Sequence, residues 1–203
     1  MEEMKFTQKD IHGIDYIYNL ANATLNTYNE YNFWSEFHQG TASNIAVMDL
    51  DDFYVSIIIG MHASFGSQQM TNDGYITDNK ASAPYTILPV IATDARFICA
   101  KRIVLGLNDV CVATQIISNW AYSTEDATTI IEYPRFTFLN NSLIGLEDDH
   151  PPKYSDNVIS ELQKLVSLNT IKEPYTSCNF VEKIFDNLNS HSDSRGGGIS
   201  SRF

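Results

Sequence analysis

Three carboxylates, Asp49, Asp51 and Asp52, fall inside the run Ala46-Val-Met-Asp-Leu-Asp-Asp-Phe-Tyr-Val-Ser-Ile-Ile58, directly after an apolar, strand-forming segment. Carboxylates at a strand end are where Mg²⁺-dependent enzymes place ligands, because hard cations take oxygen donors and keep several waters. On an extended chain Asp49 and Asp51 point to one face and Asp52 to the other. The competing reading is a short polar connection, Leu50-Asp-Asp, between strands at 45–49 and 53–60. Asp is favoured in such turns by side-chain bonds to the backbone.

Two families share the local spelling. The run Val47-Met-Asp-Leu-Asp-Asp-Phe-Tyr-Val-Ser56 resembles the first metal motif of Y-family DNA polymerases, which implies a Mg²⁺-binding palm and a later Ser-x-Asp-Glu motif. The nearest counterpart here, Ser123-Thr-Glu-Asp126, has its acids reversed, and the chain is too short and too acidic for a DNA-gripping polymerase. Apolar strand followed by Asp49-x-Asp51 also resembles the first motif of haloacid-dehalogenase-like phosphatases, which implies Asp49 as nucleophile and Asp51 as general acid. That family wants a Lys between a residue such as Thr114 and an acidic pair such as Asp148 and Asp149, but no Lys lies between Lys101 and Lys153. Neither family is adopted, and Asp49, Asp51 and Asp52 stay as an alternative Mg²⁺ or Mn²⁺ site.

Other catalytic signatures are missing. His12, His38, His62, His150 and His191 show no His-x-x-x-His spacing, and no phosphate loop, Gly-x-Gly-x-x-Gly turn or Gly-x-Ser-x-Gly elbow occurs. Cys99, Cys111 and Cys178 sit in apolar runs without Cys-x-x-Cys spacing, which predicts reduced, buried thiols.

Charge narrows the partners. The net charge is −12, and no Lys or Arg occurs between Asp10 and Asn79. Such a surface repels phosphate backbones and anionic membranes, so no direct nucleic-acid or membrane partner is expected. The segment Tyr28-Asn-Glu-Tyr-Asn-Phe-Trp-Ser-Glu-Phe37 carries five aromatics, Tyr28, Tyr31, Phe33, Trp34 and Phe37. Without basic neighbours these read as core packing or as a protein-partner surface.

The elements that position these residues follow from periodicity. Ile11, Ile14, Tyr18, Ala21, Leu25 and Tyr28 make one apolar stripe of an amphipathic N-terminal helix over about residues 8–32. Short β-branched runs predict strands near 45–49, 53–60, 85–91, 96–105, 110–118 and 128–138, with 93–120 open between a hairpin and two helices. Two C-terminal helices are expected, one capped by Ser155 and one by Ser177 carrying Phe180, Val181, Ile184, Phe185 and Leu188. The expected fold is α+β: the N-terminal helix, a central mostly antiparallel sheet of about five or six strands, and those two helices. Residues 1–189 would form a single domain and 190–203 a flexible tail.

Taken together, these features favour a non-enzymatic assembly or protein-partner-binding protein, plausibly phage- or virus-encoded, homo-oligomeric or binding a protein partner. It would reside in the cytoplasm or a virion and need no cofactor. The alternative is a Mg²⁺- or Mn²⁺-dependent phosphoryl-transfer or hydrolytic enzyme using the Asp49, Asp51 and Asp52 cluster.

Overall fold

The computed structural model describes residues 12–31, 41–63, 65–80, 87–94 and 101–201, with Thr41 by its backbone. The chain divides into two compact units, residues 1–35 with 111–175 and residues 36–110 with 176–203. The architecture is α+β with an N-terminal helix. Among the described residues its strands fall into three separate sheets of two, four and three strands, and its helices are interspersed along the chain.

In the first unit, α1 (Ile14–Tyr31) forms as expected but buries Tyr16, Ile17, Leu20, Ala21, Thr24 and Tyr28. Of the expected stripe, Ala21 and Tyr28 are buried, while Ile14, Tyr18 and Leu25 lie half-buried at its margin. Helix α2 (Val110–Tyr122) and the short α3 (Ala127–Glu132) replace the strands expected at 110–118 and through the first part of 128–138. The β-branched run Val110-Cys-Val-Ala-Thr-Gln-Ile-Ile117 can serve as a helix because its apolar residues are buried around most of the circumference. Tertiary packing then overrides the modest propensity cost of branched side chains. Strands β5 (Phe136–Asn140) and β6 (Leu143–Glu147) pair antiparallel, and β6 pairs in parallel with β7 (Ser167–Ile171). Parallel strands need a crossover, and α4 (Asp156–Leu162) supplies it, capped by the Ser155 side chain as expected. The buried Gln115 amide donates to the Phe136 carbonyl and its oxygen accepts from the Phe136 amide, fixing α2 to the start of β5.

The second unit is mostly strand. β1 (Thr41–Met48) and β2 (Tyr54–Met61) form an antiparallel hairpin, the strand–turn–strand corner read from 45–60. The other sheet has the order β3-β4-β8-β9, built from β3 (Leu88–Thr93), β4 (Lys101–Leu107), β8 (Asn179–Ile184) and β9 (Asn187–Ser192), all antiparallel. The hairpin packs against this sheet: the Ser56 hydroxyl donates to the Leu105 carbonyl, and a Cβ added to Gly106 would lie 2.7 Å from the Asn44 Cβ. Its outward face carries Ile45, Val47, Val55, Ile57 and Ile59, all exposed.

Two C-terminal expectations need correction. Phe180 to Leu188 form the β8–β9 hairpin in place of a second helix, and its two-residue turn holds Phe185 at φ 54°. The apolar spacing there matches a helical stripe, but Phe180 and Glu182 alternate inward as on a strand. Residues 190–192 belong to β9, and Asp193 and Arg195 beyond it are buried, so this part of the expected tail is ordered. Cys111 and Cys178 are buried thiols, whereas Cys99 lies outside the described residues.

Candidate active site

The acidic turn closes one end of the β1–β2 hairpin. Asp49 accepts the Phe53 amide on its side chain at 2.9 Å and donates its own amide to the Phe53 carbonyl at 3.2 Å. Asp51 is exposed, and Asp52 adopts φ 66°, a left-handed conformation that Asp tolerates better than most residues. That geometry aims Asp52 at the neighbouring sheet. Its Oδ1 accepts from Lys183 Nζ at 2.7 Å, from Arg102 Nη1 at 2.8 Å and from the Tyr54 hydroxyl at 2.8 Å. Arg102 and Lys183 are directly opposed across β4 and β8. Like charges so placed repel each other, and Asp52 supplies the missing negative charge between them. The hydrogen bond from Lys183, then that from Tyr54, with the Arg102 charge, hold the Asp52 carboxyl below its ordinary value. Among the described residues no group of three His, Cys, Asp or Glu side chains is arranged to hold a metal ion.

The other end of the hairpin is built differently. Thr41, the first residue of β1, is the cross-strand partner of Met61, the last of β2. His62 follows at once, and its buried imidazole Nδ1 donates to Asp78 Oδ2 at 2.6 Å. The other oxygen of Asp78 accepts the backbone amides of His62 at 3.1 Å and Asn79 at 2.7 Å. These bonds, that of the His62 ring first, keep the Asp78 carboxyl below its ordinary value.

Sixteen residues separate this pair, and the folded loop between them closes the gap. Ser67 donates its amide to the Thr77 carbonyl at 2.8 Å, the Ser67 and Thr77 hydroxyls are 2.6 Å apart, and Met70 bridges to Ile76. Gly66 is required there: it sits at φ 47°, and a Cβ would stand 2.3 Å from the Thr77 carbonyl oxygen. No short motif spells out this dyad. The available signals were Gly66 after Phe65 and the turn Asn72-Asp-Gly74, which mark a structured loop without naming its partners.

The C-terminal segment reaches the same strand. The Asn44 side-chain oxygen accepts the Asn179 amide at 2.9 Å, while the Asn179 side chain donates to the Asn44 carbonyl at 2.6 Å. Ser192 donates its hydroxyl to Asn179 at 2.8 Å, and Gly198 lies so close that an added Cβ would clash with both residues. Asp193 binds the Cys178 amide through one oxygen and the Arg195 amide and guanidinium through the other. This fastens the turn that follows β9.

The first unit holds the remaining expected residues. Tyr28 is buried against Phe138 with ring centroids 5.6 Å apart, Tyr31 is exposed, and Phe33, Trp34 and Phe37 lie outside the described residues. In the second acidic cluster the Asp148 and Asp149 amides both donate to the Tyr175 hydroxyl. Beside it a cavity of about 220 Å³ is lined by Arg135, Glu147, Asp148, Lys153 and Tyr154 among others.

No protein-family model matches the chain, and no curated protein sequence does. Solved structures do match. The transpeptidase CapD of Bacillus anthracis superposes with a TM-score of 0.64 at 17% identity, covering 79% of this chain and 99% of that one. A γ-glutamyltranspeptidase from Pseudomonas nitroreducens, complexed with L-DON, gives 0.65 at 14% identity over 79% of this chain and 99% of its own. An acivicin-inhibited γ-glutamyltranspeptidase, whose C-terminus is described as critical for autoprocessing and catalysis, gives 0.56 at 16% identity over 77% and 100%. At these identities the likeness shows a shared fold. It overturns the expectation of a non-enzymatic, virus-encoded assembly protein, because the fold is one that transpeptidase enzymes carry. The enzyme alternative fits it better. Charge and aromatic content misled because they describe a surface, whereas the fold is set by strand order and packing.

Proposed function

We propose that the chain is an acyl-transfer enzyme of the transpeptidase or amidohydrolase kind, with Thr41 as its nucleophile. The shared fold carries this reading. Acyl transfer proceeds through a covalent intermediate, and a Thr whose own α-amine serves as base is an established activated nucleophile. A chain that cuts itself before such a residue exposes both groups in one step. Thr41 opens β1 and is preceded in sequence by Gly40, which presents little bulk at the bond to be cut. The C-terminal segment is tied through Asn179 and Ser192 to Asn44, three residues along the same strand, in keeping with the C-terminal role described for the acivicin-inhibited relative.

The Thr41 hydroxyl oxygen bonds to the carbonyl carbon of an amide donor, the amide C–N bond breaks, and the departing amine takes up the proton. Water or a second amine then releases the acyl group. A γ-glutamyl amide is the donor class that the relatives suggest. Incubating the chain with γ-glutamyl-p-nitroanilide while following its mass tests this. Cleavage between Gly40 and Thr41, chromophore release and a covalent acivicin adduct on Thr41 are expected, and Thr41→Ala should abolish all three. An intact, unlabelled, inactive wild-type chain overturns the reading. Among the described residues no helix is long and apolar enough to cross a membrane.

A further inference from the structure

We propose that the cavity of the first unit is a binding site for a free α-amino acid with a branched aliphatic side chain, such as valine. This site is independent of the acyl-transfer reading. The cavity, about 220 Å³, stands at the carboxyl ends of the parallel strands β6 and β7. Leu146, Glu147 and Asp148 line it from the end of β6, Thr170 from β7 and Ile159 from the crossover helix α4. Sheets with such crossovers hold ligands at this end, because the connecting loop leaves the sheet there and opens a crevice. The walls are fixed by bonds within the protein. The Tyr175 hydroxyl accepts the Asp148 and Asp149 amides and donates to the Ile171 carbonyl, which ties the loop leaving β6 to the end of β7. The buried Arg135 guanidinium donates to the Ile131 carbonyl. Walls set in advance reduce the ordering cost of binding.

Size and charge select the ligand. A cavity of about 150 Å³ admits benzene, so one of about 220 Å³ admits roughly eight or nine non-hydrogen atoms, the size of valine or leucine. Continuing the β5–β6 register one step past Phe136 and Leu146 sets Arg135 opposite Glu147. Residues so opposed have Cβ atoms about 4.5–5.5 Å apart. An α-amino acid carries a carboxylate and an ammonium on one carbon, so the guanidinium takes the carboxylate and Glu147 takes the ammonium. A guanidinium has several N–H donors and a carboxylate several lone pairs, which lets the two bond each other and a zwitterion as well. The more exposed Lys153 and Asp148 repeat the two signs 3.7 Å apart, so the charges of the lining cancel and favour a zwitterion over a lone anion or cation. Burial pushes the Tyr154 phenol well above its ordinary value, which keeps it a neutral hydroxyl. Leu146, Ile159, Pro134 and Pro152 remain to pack the aliphatic side chain.

Titrating the isotope-labelled full chain with L-valine and following its amide resonances tests the site. Saturable shifts at Leu146, Glu147 and Thr170 are expected. Isobutyrate and isobutylamine keep the branched chain but only one charge each, and each should bind at least about tenfold more weakly. L-Glutamate, which would press a second carboxylate against the apolar wall, should also bind more weakly. Ile159→Trp fills the cavity and should abolish the shifts. Glu147→Gln should cost L-valine about tenfold while leaving isobutyrate as it was. No saturable shift with L-valine, shifts confined to the second unit, or isobutyrate binding as tightly as L-valine overturns the site. So does undiminished binding by a folded Ile159→Trp chain, and if that variant fails to fold, unchanged L-valine affinity in Glu147→Gln overturns it instead. None of these readouts uses turnover at Thr41, so the acyl-transfer reading stands or falls separately.

Discussion

At one end of the β1–β2 hairpin Asp52 is shared by Tyr54, Arg102 and Lys183; at the other, Asp78 is joined to the His62 imidazole. Both carboxylates accept several hydrogen bonds, and both are held below their ordinary acidity range. The difference lies in the partners. Asp52 stands between a guanidinium and an ammonium of the neighbouring sheet, so its end contributes cohesion between hairpin and sheet. Asp78 instead holds the His62 ring and backbone amide, so its end fastens the residue that follows β2 to the far side of the loop. One acid of the conspicuous run thus ties the hairpin to the sheet, and an acid far from that run holds the residue that follows β2.

Substitutions can separate the two ends. The largest effect is expected from Gly66→Ala, where the added Cβ meets the Thr77 carbonyl oxygen at 2.3 Å in a left-handed backbone. Shifting the loop would pull Asp78 off His62. Misplacement of about 1 Å can cost roughly a hundredfold in rate, so turnover should fall about that much while most of the fold persists. Unchanged turnover would mean that the loop does not position the reacting groups.

Next comes Gly106→Ala, which thrusts a Cβ to 2.7 Å from the Asn44 Cβ under the hairpin. Overpacking of this kind costs about 1–3 kcal/mol, measurable by denaturant unfolding. It should disturb both ends together, because the hairpin would have to lift.

The mildest is Asp52→Asn, expected to lower the unfolding midpoint at neutral pH while leaving turnover near wild type. The native Asp52 carboxyl titrates below its unfolded value, so its stabilisation is complete above the ordinary range near about 4 and is lost as pH falls through the native value. The deficit of the variant should therefore shrink on acidification. A deficit that grows at low pH, or a collapse of turnover at neutral pH, would erase the contrast between the two ends.

How far the sequence reveals this arrangement depends on the range of the forces involved. The first helix, the β1–β2 corner and the Ser155 cap are local, decided by periodicity and by side-chain bonds spanning a few residues, and these were legible. Helix α2 was not, because Val, Ile and Cys favour strands unless burial on most sides takes over. The β8–β9 turn was not either, since Phe185 at φ 54° replaces the Asn-Gly or Asp-Gly usually found there. At the candidate site the acids were visible but their partners were not. Arg102 and Lys183 lie 50 and 131 residues from Asp52, and only the pairing of β4 with β8 makes them neighbours.

The two buried thiols equip the chain with its own reporters. Cys111 belongs to the first unit and Cys178 to the second. In a Cys99→Ser background each reacts with an alkylating reagent only when its surroundings open, so site-resolved mass spectrometry would clock each unit's breathing separately. Matching rates would make the protein one cooperative body, and diverging rates would identify the unit that yields first.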